Sequence, residues 1–347
     1  MFKYLDLQGM AEKLCGLMKS PKLSCKLDRK AKESVNERFD TFRPFVTAII
    51  PNYNYSHYLK KRLETIFDQD YDNIEVIILD DCSTDSSLKL IKPYENMPNV
   101  TVKINEKNSG SAFKQWLKGI LLASGEIIWI AEADDLCKKG FIKTLIPYFQ
   151  DPDVKLAYCD SYCIDSSGEI LKNYNYYDNY LKELSPIKWN REYKQDGDAE
   201  VNDGLAVKNT IPNVSGVLFR KREVTKHLAE IEKTITKFRF CGDWNFYLHL
   251  LCGGKICYTP VKLNYHRRHD SSIVRHCHQA DDSARIMLTE FYANHKLVLE
   301  KYRVSRETFA KMVGFVSGDL KNCNFPSIDE REFEKYYSIV ELRKLLD

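Results

Sequence analysis

Several features that would place a protein in a class at once are missing from this chain of 347 residues. It has no apolar run of about 18 residues, so we expect no membrane-spanning helix. Its first 20 residues carry scattered charges and lack the apolar centre of a signal peptide. We therefore expect a cytoplasmic protein.

Two phosphate-binding signatures are absent as well. The sequence contains no Gly-x-Gly-x-x-Gly turn and no Gly-x-x-x-x-Gly-Lys-Ser/Thr loop, which argues against a Rossmann dinucleotide site and against a P-loop. The formal net charge is only +3, so no extended surface for nucleic acid is implied and we expect no nucleic-acid partner. A bound phosphate would therefore have to be neutralised by a metal ion.

The eleven cysteines include no Cys-x-x-Cys pair. Several of them, such as Cys159 and Cys257, lie inside apolar segments, which indicates reduced and buried thiols. Apolar residues make up 44% of the chain, enough for a sizeable core, and the length suggests about two domains.

The first segment, residues 1–44, differs from the rest in charge. It holds ten Lys and Arg against six Asp and Glu, with apolar residues at intervals, which predicts one or two amphipathic helices. We favour packing of these helices on the main domain. Peripheral contact with an anionic surface at the inner face of the membrane is the alternative.

From residue 45 onward, short apolar segments alternate with segments of helical spacing. Strands are predicted at residues 45–50, 74–79, 100–104 and 126–131, with the first one stopped by a proline. This alternation is typical of an α/β fold with a mostly parallel sheet sandwiched by helices. Residues 173–210 are predicted to form a long surface excursion. The predicted division is a helical N-terminal extension (1–44), an α/β domain (45–280) and a helical C-terminal region (281–347).

An acidic cluster follows the fourth predicted strand. Glu132, Asp134 and Asp135 place three carboxylates within four residues, and like charges this close repel each other. Their oxygens suit Mg²⁺ or Mn²⁺, which would relieve the repulsion. A solvated acidic turn is the alternative that remains open for the cluster taken alone.

Two further polar groups follow neighbouring strands. The first strand leads into Pro51 and Tyr53, and the second leads into Asp81. Ligands of open parallel sheets bind beyond the carboxyl ends of the strands, so one shared site is favoured over independent turns. Tyr53 could stack on a base, and Asp81 could accept a hydrogen bond from a base or a ribose. An exposed loop aromatic and a helix-capping acid are the alternatives.

Four segments resemble, in this order, the nucleotide-binding half of family 2 glycosyltransferases. They are residues 48–54 (AIIPNYN), 79–85 (LDDCSTD), 108–126 with its Asn-Ser-Gly, Gly119 and Ala-Ser-Gly-Glu, and 132–135 (EADD). The resemblance covers roughly residues 45–270 and implies a GT-A-type fold. It implies inverting transfer of a sugar from a nucleotide-diphosphate donor, such as a UDP-sugar, to a hydroxyl of a carbohydrate or lipid-linked acceptor. Such enzymes of bacteria build cell-surface polysaccharides.

The resemblance also implies roles for single residues. Those assigned to the donor nucleotide are Pro51, Tyr53, Asp81 and Asp134, and those assigned to Mn²⁺ or Mg²⁺ are Asp135 and His269, with His266 as the second choice for the histidine. Ser215 and Gly216 would line the cleft. The cluster His276, Cys277 and His278 is weak evidence for zinc, since no second cluster accompanies it.

The implied general base is Asp243, in a Cys-Gly-Asp-Trp segment that resembles the family's base-bearing helix start. The reaction needs one carboxylate to take the proton of the acceptor hydroxyl. A helix N-cap is the alternative role. One departure from the family is Glu132 in place of the commoner Asp. Another is Gln-Trp-Leu at 115–117 in place of Ala-Arg-Asn, so that Lys114 or Lys118 would have to supply a basic contact.

Two other functions remain open for this acidic edge. One is a metal-dependent phosphotransferase or nucleotidyltransferase, and the other is a non-catalytic carbohydrate-binding protein of the same fold. The sequence leaves the sugar, the acceptor and the oligomeric state undecided.

Overall fold

The computed structural model describes residues 42–269, 281–322 and 330–346. Nearly all of the predicted N-terminal extension, and the cluster His276, Cys277 and His278, lie outside these described residues. The strands are β1 Val46–Asn52, β2 Ile74–Asp80, β3 Val100–Ile104, β4 Ile127–Ile130, β5 Leu136–Cys137, β6 Val154–Ile164, β7 Tyr193–Asp196, β8 Val217–Arg220 and β9 Lys255–Arg267.

The strands form one sheet in the order β3-β2-β1-β4-β8-β6-β9-β5, with β7 also paired to β9. Strands β3, β2, β1 and β4 pair in parallel with one another, whereas β8 runs antiparallel to both β4 and β6. Every residue of β1 and β4 is buried, as expected for strands covered on both faces. The predicted α/β class is thus confirmed, with a mixed second half.

The α-helices are α1 Ser56–Phe67, α2 Ser87–Ile91, α3 Ala112–Leu122, α4 Phe141–Leu145, α5 Gly197–Glu200, α6 Lys221–Lys226, α7 Leu228–Ile235, α8 Gly242–Leu251, α9 Asp281–Lys301, α10 Arg306–Asn322, α11 Glu330–Tyr336 and α12 Ile339–Leu346. Short 3₁₀ or π-helical turns occupy Lys92–Tyr94, Ile146–Gln150, Tyr177–Leu181, Lys188–Asn190, Val201–Leu205 and Val214–Gly216. Within the described residues, no helix is both long and apolar enough to cross a bilayer.

Pro51 does not stop the first strand, contrary to the prediction. Strand β1 continues through Pro51 to Asn52, paired with β2. Its pairing with β4 ends earlier, at Ile49. The missing N–H of the proline therefore costs no hydrogen bond to β4, a position at which proline is tolerated.

The prediction of a surface excursion at residues 173–210 was wrong. Tyr177, Trp189 and Leu205 are buried and belong to the main core. The rings of Tyr177 and Trp189 stack with their centroids 5.3 Å apart, and the Trp189 indole donates to the Tyr158 hydroxyl at 3.0 Å. The segment is polar on average, so its composition did not reveal the few buried aromatic residues that pack it against strands β6 and β9.

The C-terminal region is helical over its described residues, as predicted. Its buried side chains, among them Val298 and Tyr337, join the same core as helix α8. His295 on α9 contacts the Tyr337 hydroxyl and the Val207 carbonyl. These helices therefore support the segments beside α8.

Candidate functional site

The site lies at the carboxyl ends of β1, β2 and β4, which meet because the three strands are parallel. Hydrogen bonds of side chains join the loop that follows β1 to the loop that follows β2. Asn52 Nδ2 donates to Asp80 Oδ2 at 2.7 Å, and the Asn54 amide donates to Ser83 Oγ at 2.9 Å. Asn54 and Cys82 adopt the left-handed backbone conformation, with φ of 58° and 66°. The loops after β1 and β2 are thus one hydrogen-bonded unit.

Asp81 lies at this edge, buried, with its carboxylate facing the loop after β3. It accepts hydrogen bonds from the Ser109 amide at 2.9 Å, the Ser109 hydroxyl at 2.7 Å, Gln115 Nε2 at 2.9 Å and Asn105 Nδ2 at 2.5 Å. Donors already surround the carboxylate, so it fixes the loop of residues 105–111. Any contact with a base would add to this set or replace part of it.

Tyr53 stands beside Asp81 in a different environment. Its side chain is 45% exposed, whereas Pro51 before it is buried in β1. An exposed aromatic ring next to buried polar residues can stack on a planar ligand. Of the predicted nucleotide contacts, Tyr53 is therefore the one with a free face.

The acidic cluster has a distinct partner for each carboxylate. Glu132 Oε1 accepts from Trp116 Nε1 at 2.6 Å, and Asp134 Oδ2 lies 3.0 Å from His269 Nε2. Asp135 accepts from the Arg267 amide at 2.9 Å and from Asn213 Nδ2 at 2.8 Å. The structure thus brings His269 to the cluster, but onto Asp134 and not onto Asp135.

The cluster carries more negative charge than its surroundings balance. Burial, with the Asp134 charge second, raises the pKa of Glu132 to about 8. Burial and the adjacent Asp135 raise the pKa of Asp134 as well, while burial lowers the pKa of His266 to about 4. Carboxylates this close in sequence, two of them with raised pKa values and one in contact with an imidazole, are donors of the kind that Mn²⁺ and Mg²⁺ accept.

The departure at residues 115–117, which lies in helix α3, anchors two carboxylates of the site. Gln115 donates to Asp81, and Trp116 donates to Glu132. Neither predicted lysine substitute contacts the acidic cluster: Lys114 donates to the Ser109 carbonyl, and Lys118 donates to the Asn105 side chain. Helix α3 therefore supplies neutral donors that hold two of the site's carboxylates.

Sequence reasoning missed Arg62, which lies on helix α1 and is fully buried. Its guanidinium sits 5.0 Å from the centre of the Trp129 ring, and none of its nitrogens has a hydrogen-bond acceptor within the described residues. Its charge counteracts part of the rise in the Glu132 pKa. The available signal was a basic residue on the apolar face that Leu59 and Leu63 mark.

Asp243 lies in the first turn of α8. It accepts hydrogen bonds from the Trp244 amide at 2.7 Å and from Asn209 Nδ2 at 2.9 Å, and burial raises its pKa to about 6. The N-cap position belongs to Cys241, and no side chain caps it, so the capping alternative for Asp243 is wrong. Instead Glu290 of α9 accepts from the Cys241 amide at 2.7 Å, a support that sequence reasoning also missed.

Tyr247 connects Asp243 electrostatically with the acidic cluster. After burial, the charges of Asp243, Tyr176 and Glu132 are what raise the pKa of its phenol. The hydroxyl is buried, and no hydrogen-bond partner for it lies in the described part of the chain. The negative charges of Asp243 and Glu132 thus both disfavour ionisation of this buried phenol.

Ser215 and Gly216, which were predicted to line the cleft, are both buried, and Ser215 is hydrogen-bonded to the acidic turn. Ser215 Oγ accepts from the Glu132 amide at 3.1 Å, and its carbonyl accepts from Trp129 Nε1 at 2.8 Å. Asn213, just before them, holds Asp135. This segment therefore supports the cluster through its backbone and its small side chains.

Comparison with known proteins bears directly on this site. The sequence profile described as glycosyl transferase family 2 matches residues 47–207. This range includes Tyr53, Asp81 and the acidic cluster, and it ends before Asp243 and His269.

Two curated bacterial relatives are similar in sequence. Glycosyltransferase GlyG of Streptococcus pneumoniae is 28% identical over 235 residues, which are 66% of this chain and 73% of that protein. Poly(ribitol-phosphate) β-N-acetylglucosaminyltransferase TarS of Staphylococcus aureus is 31% identical over 107 residues, which are 30% of this chain and 19% of that protein.

Solved structures share the fold. TarS residues 1–349 in complex with UDP-GlcNAc match with a TM-score of 0.57 at 15% identity, covering 87% of this chain and 78% of that one. The mannosyltransferase PcManGT of Pyrobaculum calidifontis, in complex with GDP-Man and Mn²⁺, matches with a TM-score of 0.50 at 16% identity, covering 88% and 84%. From the profile, the relatives and the GT-A-like fold together, residues 47–207 belong to glycosyl transferase family 2, and the chain is a nucleotide-sugar glycosyltransferase related to enzymes of bacterial cell-surface glycan synthesis.

Proposed function

We propose that this enzyme transfers a sugar, with inversion, from a UDP-sugar to a hydroxyl of a carbohydrate or lipid-linked acceptor in cell-surface polysaccharide synthesis. The observation that carries the proposal is Asp243, a carboxylate in the first turn of α8 with a pKa of about 6, on a different element from the acidic cluster that follows β4. Separate acidic groups allow one to serve the donor and the other to serve the acceptor.

The donor side uses the edge of the parallel strands. Tyr53 offers its exposed ring to the base, and Asp81 organises the loop that closes the base pocket. Among the solved structures that share the fold, TarS was captured with UDP-GlcNAc and PcManGT with GDP-Man. Uridine is the base we propose here, since it is the one bound by TarS.

Asp135 and His269 are the proposed metal ligands, with Asp134 between them on the donor side. A bound Mn²⁺ or Mg²⁺ would supply positive charge for the diphosphate leaving group. The contact of His269 with Asp134 holds the imidazole at the cluster, and the Arg267 amide and Asn213 orient Asp135. These partners hold both side chains in place before the donor arrives.

Asp243 accepts the proton of the acceptor hydroxyl. At pH 7 a carboxylate with a pKa of about 6 is mostly ionised, yet it is more basic than an ordinary aspartate. As the proton moves to Asp243, the hydroxyl oxygen bonds to the anomeric carbon and the bond from that carbon to the diphosphate breaks. A single displacement of this kind inverts the configuration at the sugar.

A donor screen tests the proposal. Purified enzyme is incubated with UDP-, GDP- and dTDP-sugars, each with Mn²⁺ and with EDTA, and release of the nucleoside diphosphate is measured. We expect metal-dependent release from a UDP-sugar and little from the others. Calorimetric titration of UDP accompanies the screen, and failure of UDP to bind in the presence of metal would support the non-catalytic alternative.

Peripheral membrane contact remains part of the proposal through the basic residues of the first 44 positions. Sedimentation with anionic vesicles at low salt tests it, with neutral vesicles as the control. Recovery of all protein in the supernatant of both would contradict membrane contact and leave the donor assignment untouched.

A further inference from the structure

A second group of metal-ligand side chains lies where helices α7 and α8 pack together. His227, Glu230 and His249 each direct one ligand atom to the same place, and these atoms lie within 4.8 Å of one another. His249 Nδ1 is 3.6 Å from Glu230 Oε2, and the two imidazole rings have their centroids 6.1 Å apart. None of the three belongs to the donor or acceptor sites described above.

The environment of His249 is unusual for a packing residue. The side chain is 2% exposed, and its Nδ1 has no hydrogen-bond partner within the described residues. The 3.6 Å separation from Glu230 is too long for a hydrogen bond. A buried nitrogen left without a partner costs free energy, and a ligand between the three side chains would remove that cost.

Both histidines are in the form that binds metal. Burial, with the nearby Lys301 charge second, lowers the pKa of His249 to about 4 and also lowers the pKa of His227. At neutral pH each imidazole is therefore uncharged and carries a free lone pair. Two neutral imidazoles and one carboxylate are a typical zinc donor set, with a water molecule as the fourth ligand.

Lys301 is the competitor for this group. Its ammonium lies 2.6 Å from Glu230 Oε2, so an ion pair holds the carboxylate when no metal is present. Glu230 is on the exposed side of α7, where the lysine can exchange for a cation and where water has access. The ion pair with Lys301 must therefore break for a metal to bind, which lowers the affinity of the site for metal.

We propose that His227, Glu230 and His249 form a second metal site, for Zn²⁺ or a similar borderline divalent cation, independent of the proposed donor site. Its bound cation would join α7 to α8. His249 follows Asp243 by six residues on the same helix, or about 9 Å along its axis. The site would therefore fix the helix that carries the proposed base, from its far end.

Calorimetric titration of the metal-free full-length protein with Zn²⁺ tests the site. Glu230→Gln removes the exposed ligand with little effect on folding, and Glu232→Gln, an exposed glutamate of the same helix, is the matched control. We expect Glu230→Gln and His227→Asn to weaken one Zn²⁺ site by about tenfold or more, and Lys301→Gln to strengthen it. Visible absorption of bound Co²⁺ reports four-coordinate geometry in the same proteins.

Comparison with Asp135→Asn separates this site from the proposed donor site. The α7–α8 site keeps its Zn²⁺ affinity in Asp135→Asn if the inference is right. Equal Zn²⁺ binding by Glu230→Gln and Glu232→Gln would overturn it, and so would loss of all Zn²⁺ binding in Asp135→Asn alone. Neither result would affect UDP binding, on which the proposed function depends.

Discussion

The two acidic groups at the edge of the sheet, after β2 and after β4, hold their carboxylates in opposite ways. Asp81 accepts hydrogen bonds from three neighbouring residues, Asn105, Ser109 and Gln115. Glu132 has one such donor, Trp116, and Asp134 lies against one imidazole, while both have raised pKa values. The carboxylate of Asp81 therefore holds the fold of its loop, whereas those of Glu132 and Asp134 have fewer hydrogen-bond donors and more capacity to bind a ligand.

The largest expected effect is that of a substitution at Asp134 on the rate of sugar transfer. Asp134→Asn removes one of two adjacent negative charges at the end of β4 and the ionic part of the contact with His269. We expect the rate of sugar transfer to fall by about 10²-fold or more. The melting temperature should stay equal or rise, because the repulsion from Asp135 is relieved. A variant with full activity would show that Asp134 has no role in the reaction.

At Asp81 we expect a substitution to lower the stability of the fold. Asp81→Ala leaves the donors of Ser109, Gln115 and Asn105 without their acceptor, so we expect the free energy of unfolding to fall by about 2–4 kcal/mol. Asp198→Ala, at an exposed position in the first turn of α5, is the control. Denaturant unfolding measures both. Equal stability of the two variants would contradict the structural role of Asp81.

The pH dependence of stability distinguishes the groups further. Glu132 has a pKa of about 8 in the folded protein, against an ordinary value of 4.5. Between these values the unfolded chain is ionised and the folded chain holds the proton, so this residue lowers stability as pH rises from about 5 to 8. Glu132→Gln should remove that loss, a few kcal/mol at most. Thermal melts from pH 5 to 8 measure it, and parallel curves for both proteins would contradict the assignment.

The smallest predicted effect concerns the loop after β2. Cys82 has φ of 66°, a conformation that favours glycine, and its thiol makes only a weak contact of 3.6 Å with the Glu106 carbonyl. Cys82→Gly should raise the free energy of unfolding by about 1 kcal/mol. Cys252→Ala, at another half-buried thiol, controls for loss of a sulfur. Lower stability of Cys82→Gly would show that the thiol contact outweighs the backbone strain.

The sequence predicted the edge of the parallel strands well because each part of it is local. Tyr53, Asp81 and Glu132 directly follow apolar strands, and parallel pairing then brings the strand ends together. The donors that tune these side chains were not predictable in this way. Arg62 reaches Trp129 across a helix–sheet contact, and Asn213 reaches Asp135 from a distant segment.

The second half of the molecule was harder to predict, for a physical reason. The segment of residues 173–210 is polar on average, and its fold depends on a few aromatic anchors such as Trp189. Asp243 was found by resemblance to the family. Its hydrogen bond from Asn209, and the bond that Glu290 accepts from the Cys241 amide, form only when distant segments of the chain fold together. Contacts between remote segments leave no local pattern.

In the proposed reaction, the donor binds at the sheet edge and Asp243 removes the proton of the acceptor hydroxyl. The most direct test measures UDP affinity and transfer rate on the same preparations of wild type, Asp243→Asn and Asp198→Asn. Asp198 is a matched control because, like Asp243, it follows a glycine and lies in the first turn of a helix. We expect Asp243→Asn to bind UDP like wild type and to transfer sugar about 10²- to 10⁴-fold more slowly. An Asp243→Asn variant as active as Asp198→Asn would contradict it.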